Sequence, residues 1–400
     1  MKYIITTVFI FASMAISAQT KTCYTDEYEV MLLEQNPELE AKKAEYEQQL
    51  LNLNTNLHKS SSTQYNIPVV FHILYKTSQQ NLPEQRIIEQ MNRLNEDFAG
   101  ENSDTSTVPH EFKPFIGSAN IHFYLATLDP DGNVTNGINR VNTTKTNFTA
   151  NSNHIKKTAD GGVDAWNPNK YLNIWVGNID LNILGYSTSP FNHGNSMDGV
   201  VLGYKYVGNS TFPSAYSGGR TAVHEVGHYF GLQHVWGSGS GGCSVDDGVA
   251  DTPLQEGAST GTPVHPRPSC GSNDMFMNYL DYCDDIVAVM FTHGQVDKMY
   301  STITTFRSSL LSPDVSVNDI EIESNIFPNP SNGLFQINLL ETPTEIEVRV
   351  LDITGKTYEI DYTVADKRIN VNADHLSNGI YFIELKTKDK RKLHKIIISK

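Results

Sequence analysis

The stretch HEVGHYFGLQH, residues 224–234, places three histidines and one glutamate within eleven residues. His224 and His228 are four residues apart, so on an α-helix they project from the same face, one turn above the other. Gly231 stands where such a helix would end, because glycine adopts the left-handed conformation that terminates helices. The chain can then turn back and bring His234 beside the first two histidines. We therefore predict a three-histidine metal site built on a short helix.

This set of residues predicts a catalytic zinc. Three histidine nitrogens leave one tetrahedral position open, which distinguishes a catalytic zinc from a structural one, and water in that position has a pKa of about 7. Glu225 lies between the first two histidines and can reach that water rather than the ion. It would take a proton from the water and return it to the departing amine. The pattern predicts hydrolysis of peptide bonds without a covalent intermediate.

The first residues, MKYIITTVFIFASMAISAQ, combine a lysine, a short apolar run and small residues near Ala18. This order is typical of a secretory signal peptide, and we assign residues 1–18 to it. A membrane anchor needs about 20 apolar residues, and this run is shorter. No later segment is apolar enough to span a bilayer, so we expect export and no stable membrane span.

Charge and cysteine content narrow the class of protein. The net charge is -15, from 45 acidic and 30 basic side chains, which argues against a nucleic-acid partner because phosphate repels such a surface. Four cysteines are too few for a small fold held together by disulfides, although one bridge is expected in an oxidising compartment.

Residues 25–53 are rich in helix formers, and a polar, serine-rich run that indicates an exposed linker follows them. We interpret residues 19–63 as a propeptide; the alternative is an N-terminal helix docked on the main domain.

From residue 64, the order of elements predicts an α/β core whose sheet supports the metal helix. Its clearest elements are the strand IPVVFHILYK at 67–76, the amphipathic helix at 83–98, and strands beginning near Ala119 and Lys170.

The composition changes after Ser312. From Ile326 onward, short alternating strands are separated by turn signals such as Asn332-Gly333 and Asn378-Gly379. This pattern predicts a small β-sandwich. We assign residues 64–312 to a zinc metallopeptidase domain and residues 313–400 to the sandwich.

The histidine stretch is similar to the long zinc motif of the metzincin metallopeptidases. Its surroundings resemble their pappalysin family, including the cytophagalysin-like members, through the Met-turn region at 278–299 and the loop at 246–253. The resemblance extends from about residue 67 to residue 307. It implies an α/β (α+β) domain with a twisted mixed sheet and an active-site helix. It also implies zinc ligation by His224, His228 and His234, with Glu225 as the general base.

The chain departs from this family at the methionine under the zinc. Leu280 occupies that position and Tyr282 the position of the tyrosine that follows it, whereas a rival alignment uses Met277 and Tyr279. Leucine and methionine have similar volumes, and this residue is not a ligand, so zinc binding is expected to survive the change. Tyr282 would donate a hydrogen bond to the oxyanion, or would simply be a core tyrosine.

The resemblance also assigns the cysteines. It implies a disulfide between Cys243 and Cys270 and leaves Cys283 unpaired; a crosslink that involves Cys283 is the alternative. Cys23 lies in the expected propeptide, where its thiolate could fill the open zinc position as a zymogen switch; the alternative is an idle thiol.

Acidic residues provide two further candidates. Asp285 matches a family residue in the pocket for the side chain after the scissile bond, which implies a preference for Arg or Lys. A solvated acidic pair or calcium ligands would explain it nearly as well. Asp246, Asp247 and Asp251 could bind calcium, or could cap turns.

The C-terminal unit has a Pro-Asn-Pro turn at 328–330, a turn at 352–355, a Gly-Ile-Tyr strand at 379–381 and a basic end. These features resemble the sorting domain of the type IX secretion system, which implies passage through that machinery; an adhesive or carbohydrate-binding sandwich is the alternative. Together these features predict a secreted, extracellular or cell-surface zinc endopeptidase that acts on proteins or peptides. The rival is a catalytically silent zinc-binding or adhesive protein of the same fold.

Overall fold

The computed structural model describes residues 22–52, 64–180, 183–239, 241–311, 322, 324–343, 345–352, 356–387 and 391–400. The signal peptide at 1–18 and most of the predicted linker lie outside these ranges. Within the described ranges, no helix is both long and apolar enough to cross a membrane. The helices are α1 Thr25–Gln35, α2 Glu38–Asn52, α3 Glu84–Ala99, α4 Arg220–Tyr229 and α5 His293–Phe306.

The main sheet is mixed, as predicted. Its strands lie in the order β1-β6-β7-β5-β2-β3, with β4 also paired to β2. All its pairs are parallel except β6 with β7, within the described residues. The strands are β1 Thr22–Cys23, β2 Tyr65–Tyr75, β3 Ile121–Leu125, β4 Ile138–Asn142, β5 Leu172–Gly177, β6 Ile183–Ser187 and β7 Val200–Gly203.

Strand β2 shows why the sequence of a strand in this sheet is a continuous apolar run. Its residues at 67, 69, 71 and 73 belong to the core that includes α3 and α4, whereas Leu74 belongs to a second core on the other face. A strand covered on both faces needs apolar side chains at successive positions. The sheet is therefore an internal layer, and α4 is held against one of its faces.

The N-terminal segment, which we define as residues 22–52, packs on the catalytic unit. Strand β1 adds to the sheet edge beside β6, with Thr22 opposite Ile183 and Cys23 opposite Gly185. Tyr28 is fully buried in the second core. The predicted helix is present but is interrupted near Pro37, because proline cannot donate the helical hydrogen bond.

Four short strands accompany the loops around the active site: β8 Thr260–Gly261, β9 Pro268–Ser269, β10 Ser272–Asn273 and β11 Tyr282–Cys283. The pair of β11 with β8 is parallel, and β10 with β9 is antiparallel.

The C-terminal unit is a β-sandwich, which confirms the prediction from its alternating pattern. Its described residues form two four-stranded sheets, in the orders β12-β13-β17-β16 and β15-β14-β18-β19. Both sheets contribute to one apolar core. The strands are β12 Ser324–Phe327, β13 Leu334–Leu339, β14 Glu347–Asp352, β15 Thr357–Tyr358, β16 Asp361–Ala365, β17 Arg368–Asn372, β18 Gly379–Lys386 and β19 Arg391–Ile398.

Candidate active site

Helix α4 carries the first two histidines and Glu225, and every residue of the helix is buried. It ends at Tyr229, and Gly231 follows with φ 88°, the left-handed conformation expected from the sequence. A Cβ on Gly231 would lie 2.7 Å from Thr302 Oγ1 and 2.9 Å from Tyr46 Oη. Glycine is therefore required there both by backbone conformation and by space.

The imidazole rings of the three histidines converge. His228 Nε2 lies 3.0 Å from His224 Nε2 and 3.1 Å from His234 Nε2. On the helix, His224 Nδ1 donates to the carbonyl of Tyr279 at 2.6 Å, and His228 Nδ1 donates to the carbonyl of Leu232 at 2.8 Å. Because Nδ1 carries the proton on both rings, their Nε2 lone pairs face the shared point.

The histidines are buried, and burial lowers the pKa of His224 and of His234 to about 3. Burial likewise places the pKa of His228 well below its usual value. Neutral imidazole is the form that binds a metal. Within the described part of the chain, one group of metal-type ligands is found, formed by Cys23 and the three histidines with all ligand atoms within 4.8 Å of one another. Three nitrogens and one sulfur suit tetrahedral zinc.

Glu225 lies beside this cluster and is fully buried. Its Oε2 accepts hydrogen bonds from Thr25 Oγ1 at 2.9 Å and from Cys23 Sγ at 3.4 Å. Its Oε1 is buried and has no hydrogen-bond partner among the described residues. Burial raises the pKa of Glu225 to about 8, although the two hydrogen bonds oppose the shift. A buried oxygen of this kind is expected to have a partner such as a water molecule.

The third histidine has a different kind of partner. His234 Nδ1 lies 3.2 Å from Asp26 Oδ2, in the N-terminal segment. Its ring also stacks on Trp236, with centroids 4.5 Å apart. The segment thus supplies neighbours to His234 and Glu225 as well as the sulfur of Cys23. The sequence pointed to Cys23 but not to Thr25 and Asp26, because ordinary polar residues at the start of a helix carry no signal of such contacts.

The turn below the metal cluster places Tyr282 against the histidines. The Tyr282 ring centroid is 5.0 Å from that of His234 and 5.8 Å from that of His224. Burial, with the nearby Cys23, Asp26 and Glu225, holds the pKa of the Tyr282 hydroxyl well above its usual value. The hydroxyl therefore keeps its proton and can donate a hydrogen bond.

Leu280 lies under the active-site helix, where a Cβ on Gly227 would be 3.1 Å from Leu280 Cδ2. The residues of the rival alignment lie elsewhere. The Tyr279 ring packs on Phe291, with centroids 4.8 Å apart, and Met277 belongs to a separate apolar cluster. This placement favours the alignment with Leu280 and Tyr282.

A cavity beside the cluster is lined by His224, Glu225, Tyr282 and Asp285, among others. Asp285 Oδ2 accepts hydrogen bonds from the backbone N–H groups of Gly218 at 2.7 Å and Arg220 at 3.4 Å. Burial raises the pKa of Asp285 to about 6, against the effect of these bonds. The sequence-predicted pocket residue therefore shares a cavity with the catalytic candidates.

Arg220 is a neighbour of this cavity that sequence analysis missed. Its guanidinium donates to Asp97 Oδ2 at 3.0 Å and contacts Asp104 Oδ2 at 2.7 Å, and it also donates to the carbonyl oxygen of Asp285. Two carboxylates thus neutralise its single positive charge. No local pattern in the sequence indicates such a group, because Arg220 and Asp97 are 123 residues apart.

The other sequence candidates have defined positions. A disulfide joins Cys243 and Cys270, and Cys283 is a buried free thiol. The three aspartates that could bind calcium all accept hydrogen bonds within turns or at a helix start. Asp246 accepts from Gly248 N, Asp247 from Val249 N and Thr252 Oγ1, and Asp251 from Thr292 Oγ1 and Gly294 N.

Comparisons with known proteins match both parts of the chain. Residues 150–304 match the peptidase M43 family described as pregnancy-associated plasma protein-A, and residues 325–399 match the secretion system C-terminal sorting domain. An extracellular metalloprotease of Pyricularia oryzae is 40% identical over 147 residues. That match covers 35% of this chain and 50% of the relative, so the chain spans about half of this curated protein.

Two solved structures are similar over more of the chain. Mature mirolysin of Tannerella forsythia, in complex with a cleaved peptide, is 43% identical with a TM-score of 0.61, covering 63% of this chain and 97% of that one. A promirolysin variant of the same organism is 38% identical with a TM-score of 0.67, covering 72% and 97%.

A mixed sheet above a helix with two histidines, and a third histidine after a glycine turn, is the arrangement that characterises the metzincin class of zinc metallopeptidases. With the comparisons above, the chain belongs to the pappalysin family of this class, and it carries a type IX sorting domain. The expected location outside the cell or at its surface is confirmed by the sorting domain and the extracellular relatives.

Proposed function

We propose that this chain is a zinc-dependent endopeptidase, made as a proenzyme, that hydrolyses peptide bonds in proteins or peptides. The observation that carries the proposal is the convergence of three neutral imidazoles, at Nε2 separations of 3.0 and 3.1 Å, beside a buried glutamate with an unpartnered oxygen. The similarity to mirolysin, solved with a cleaved peptide, supports the same activity.

His224, His228 and His234 would hold the zinc. When bound, the ion supplies a Lewis acid that polarises a peptide carbonyl and acidifies a water. Glu225 would accept the proton of the water and transfer it to the departing amine. Its position supports this role, because Glu225 Oε1 lies beside the ligand cluster and has no hydrogen-bond partner among the described residues. Tyr282 would donate a hydrogen bond to the developing negative charge on the carbonyl oxygen.

The N-terminal segment would keep the enzyme inactive until it is removed. Cys23 brings a sulfur into the ligand cluster, and Thr25 donates to Glu225 Oε2 at 2.9 Å. Strand β1 covers the edge of β6, where an extended substrate would otherwise pair. One segment thus occupies the metal ligand position, engages the general base and covers the substrate edge.

Asp285 would select an Arg or Lys side chain after the scissile bond. The charges around it support this role. Arg220 is also paired with Asp97 and Asp104, so its single charge only partly offsets the Asp285 carboxylate. Together with Arg220, the three aspartate carboxylates carry a net negative charge when they are ionised, which favours a cationic substrate side chain.

Calcium binding by Asp246, Asp247 and Asp251 stays a prediction. Each carboxylate has a turn or helix start to cap, and the buried Asp247 Oδ2 has no hydrogen-bond partner among the described residues. The sorting domain would engage the type IX secretion machinery and take no part in catalysis.

The proposal is tested by measuring zinc content and proteolysis together for the parent and for Glu225→Ala, both after removal of the N-terminal segment, with Glu101→Ala at an exposed position as control. Parent and Glu225→Ala should each retain about one zinc, and the loss of the general base should lower the cleavage rate by about 10²- to 10⁴-fold. A parent that holds zinc but cuts nothing would support the silent alternative. Equal cleavage by parent and Glu225→Ala would disprove the mechanism.

A further inference from the structure

Tyr28 of the N-terminal segment fills a closed pocket on the face of the sheet opposite α4. We call it the Tyr28 pocket and define it by Asn153, Lys156, Trp175 and Tyr186, all at least nine-tenths buried. The Tyr28 ring is tilted on Tyr186, with centroids 4.6 Å apart. Apart from Tyr28, the residues that form the pocket belong to the catalytic unit, so the pocket remains when the segment leaves.

The base of the Tyr28 pocket is polar and matched to a phenol. Tyr28 Oη donates to Asn153 Oδ1 and accepts from Lys156 Nζ at 3.1 Å. The ammonium also donates to the carbonyl of Met197 at 2.7 Å. Among the described residues, no carboxylate lies within 4.0 Å of Lys156 Nζ. Asp198 acts on this ammonium only from beyond ion-pair distance, so the buried ammonium also needs hydrogen-bond acceptors, and Tyr28 supplies one of them.

Aromatic rings surround the ammonium. Lys156 Nζ lies 4.7 Å from the centroid of the Tyr28 ring, 5.1 Å from that of Trp175 and 5.4 Å from that of Tyr186. The hydroxyl of Tyr186 is buried with no hydrogen-bond partner among the described residues. Loss of Tyr28 would therefore leave a cation without one ring and one acceptor, next to an unpaired hydroxyl. Such a pocket favours an aromatic occupant with a polar tip.

The Tyr28 pocket adjoins the edge strand β6. The N-terminal segment uses this edge, since Tyr24 N donates to the carbonyl of Gly185 at 3.1 Å and Ser187 N donates to Thr25 Oγ1 at 2.9 Å. Residues directly opposite each other on paired strands point to the same face of the sheet. A substrate residue opposite Tyr186 would therefore direct its side chain to the face where the Tyr28 pocket lies.

We infer that, after the N-terminal segment is removed, the Tyr28 pocket is a substrate subsite that selects a tyrosine side chain. This inference rests on the proposed function. Tyrosine both donates to Asn153 and accepts from Lys156, as Tyr28 does. Phenylalanine leaves Asn153 Oδ1 without this donor and removes one of the two acceptors of Lys156 Nζ, and a glutamate carboxylate has no proton to donate to Asn153 Oδ1. A site built to bind a hydroxyl discriminates strongly against the analogue that lacks it.

The experiment uses the full chain after maturation, with loss of Tyr28 checked by N-terminal sequencing. A peptide library first identifies the position at which tyrosine is enriched relative to the cut. Four quenched fluorescent peptides then differ only there, carrying tyrosine, phenylalanine, O-methyltyrosine or glutamate. We expect kcat/KM for the tyrosine peptide to exceed the phenylalanine and O-methyltyrosine values by about tenfold, since it alone makes both hydrogen bonds.

The Lys156→Met enzyme provides the second arm, with Lys145→Met at an exposed position as control. The ratio of kcat/KM for tyrosine over phenylalanine should fall by about threefold or more in Lys156→Met, because one of the two hydrogen bonds is lost, and stay about tenfold in Lys145→Met. Equal kcat/KM for the tyrosine and phenylalanine peptides in the parent, a preference for glutamate, or an unchanged ratio in Lys156→Met would each overturn the inference. The substrate series needs no variant, so misfolding of Lys156→Met does not hide the answer. A parent that cuts no peptide would instead contradict the proposed function.

Discussion

The active site consists of two halves that are held in different ways. His224 and His228 donate to the backbone carbonyls of Tyr279 and Leu232, both in the catalytic unit. Glu225 and His234 are instead held by side chains of the N-terminal segment, Thr25 and Asp26. We call His224 and His228 the permanent half, because their partners belong to the catalytic unit. Glu225 and His234 form the second half, whose partners maturation would remove.

This difference means that zinc binding and activity depend on different contacts. Backbone carbonyls are fixed by the fold, so the first two imidazoles keep their tautomer and orientation whether or not the segment is present. Glu225 loses two hydrogen bonds when the segment leaves, and its carboxylate becomes available to water. We therefore expect the proenzyme to contain an assembled zinc site in which the N-terminal segment is hydrogen-bonded to the general base, Glu225. The following predictions test this division, from the largest expected effect to the smallest.

Cys23→Ala removes the sulfur from the ligand cluster and leaves the partners of the permanent half unchanged. We expect the activity of the proenzyme to rise about 100-fold, which corresponds to about 2.7 kcal/mol of lost docking free energy. The measurement is cleavage of a quenched peptide before any change in chain length on a gel. The double variant Cys23→Ala with Glu225→Ala is the control and should stay inactive. Cys23→Ala proenzyme as inactive as the parent would count against the switch.

Asp285→Asn tests a part of the site whose hydrogen-bond partners, like those of the permanent half, stay in the mature enzyme. The carboxylate lies in the cavity beside His224, so the neutral amide should lower kcat/KM for peptides with Arg or Lys after the cut by about tenfold relative to neutral peptides, through loss of a charge-assisted contact. Asp284→Asn is the matched control, because the adjacent carboxylate is only partly buried. The pocket assignment fails if both variants keep the parent preference.

Much of the permanent half could be predicted from the sequence, because its determinants are local. The spacing of His224 and His228, the helix end before Gly231 and the buried strand β2 depend on residues close together in the chain. The contacts of Glu225 and His234 with the N-terminal segment could not be predicted in the same way. Thr25 and Glu225 are 200 residues apart, and their contact exists only because β1 joins the sheet edge.

Other features of the N-terminal segment show the same limit. Pro37 signals a break between α1 and α2, and reading residues 25–53 as one helix overlooked it. The burial of Tyr28 against Lys156 has no local signal, since the two residues are 128 apart. Sequence periodicity predicts which face of a helix is buried, but it does not predict which polar group that face will meet.

Thr25→Val tests whether the polar contacts help to hold the segment. Thr25 donates to Glu225 and accepts from Ser187 N, so its replacement should weaken docking by about 1 kcal/mol and accelerate maturation about fivefold. The rate is followed as conversion of proenzyme to mature enzyme on a gel. Glu27→Gln, at an exposed position on the same helix, should mature at the parent rate. The mature enzyme from Thr25→Val should be indistinguishable from the parent product, because Thr25 would no longer be present.

Leu280→Met is expected to have the smallest effect, because it changes only the support of the permanent half. Leu280 is fully buried beneath Gly227 and offers no ligand atom, and leucine and methionine have nearly equal volumes. The free energy of unfolding should therefore change by less than about 1.5 kcal/mol, as it should for the control Leu310→Met at a second fully buried leucine. Zinc content and kcat/KM should stay at parent values. A selective loss of zinc in Leu280→Met would mean that the side chain below the helix positions the histidines, and that the backbone carbonyls of Tyr279 and Leu232 do not suffice.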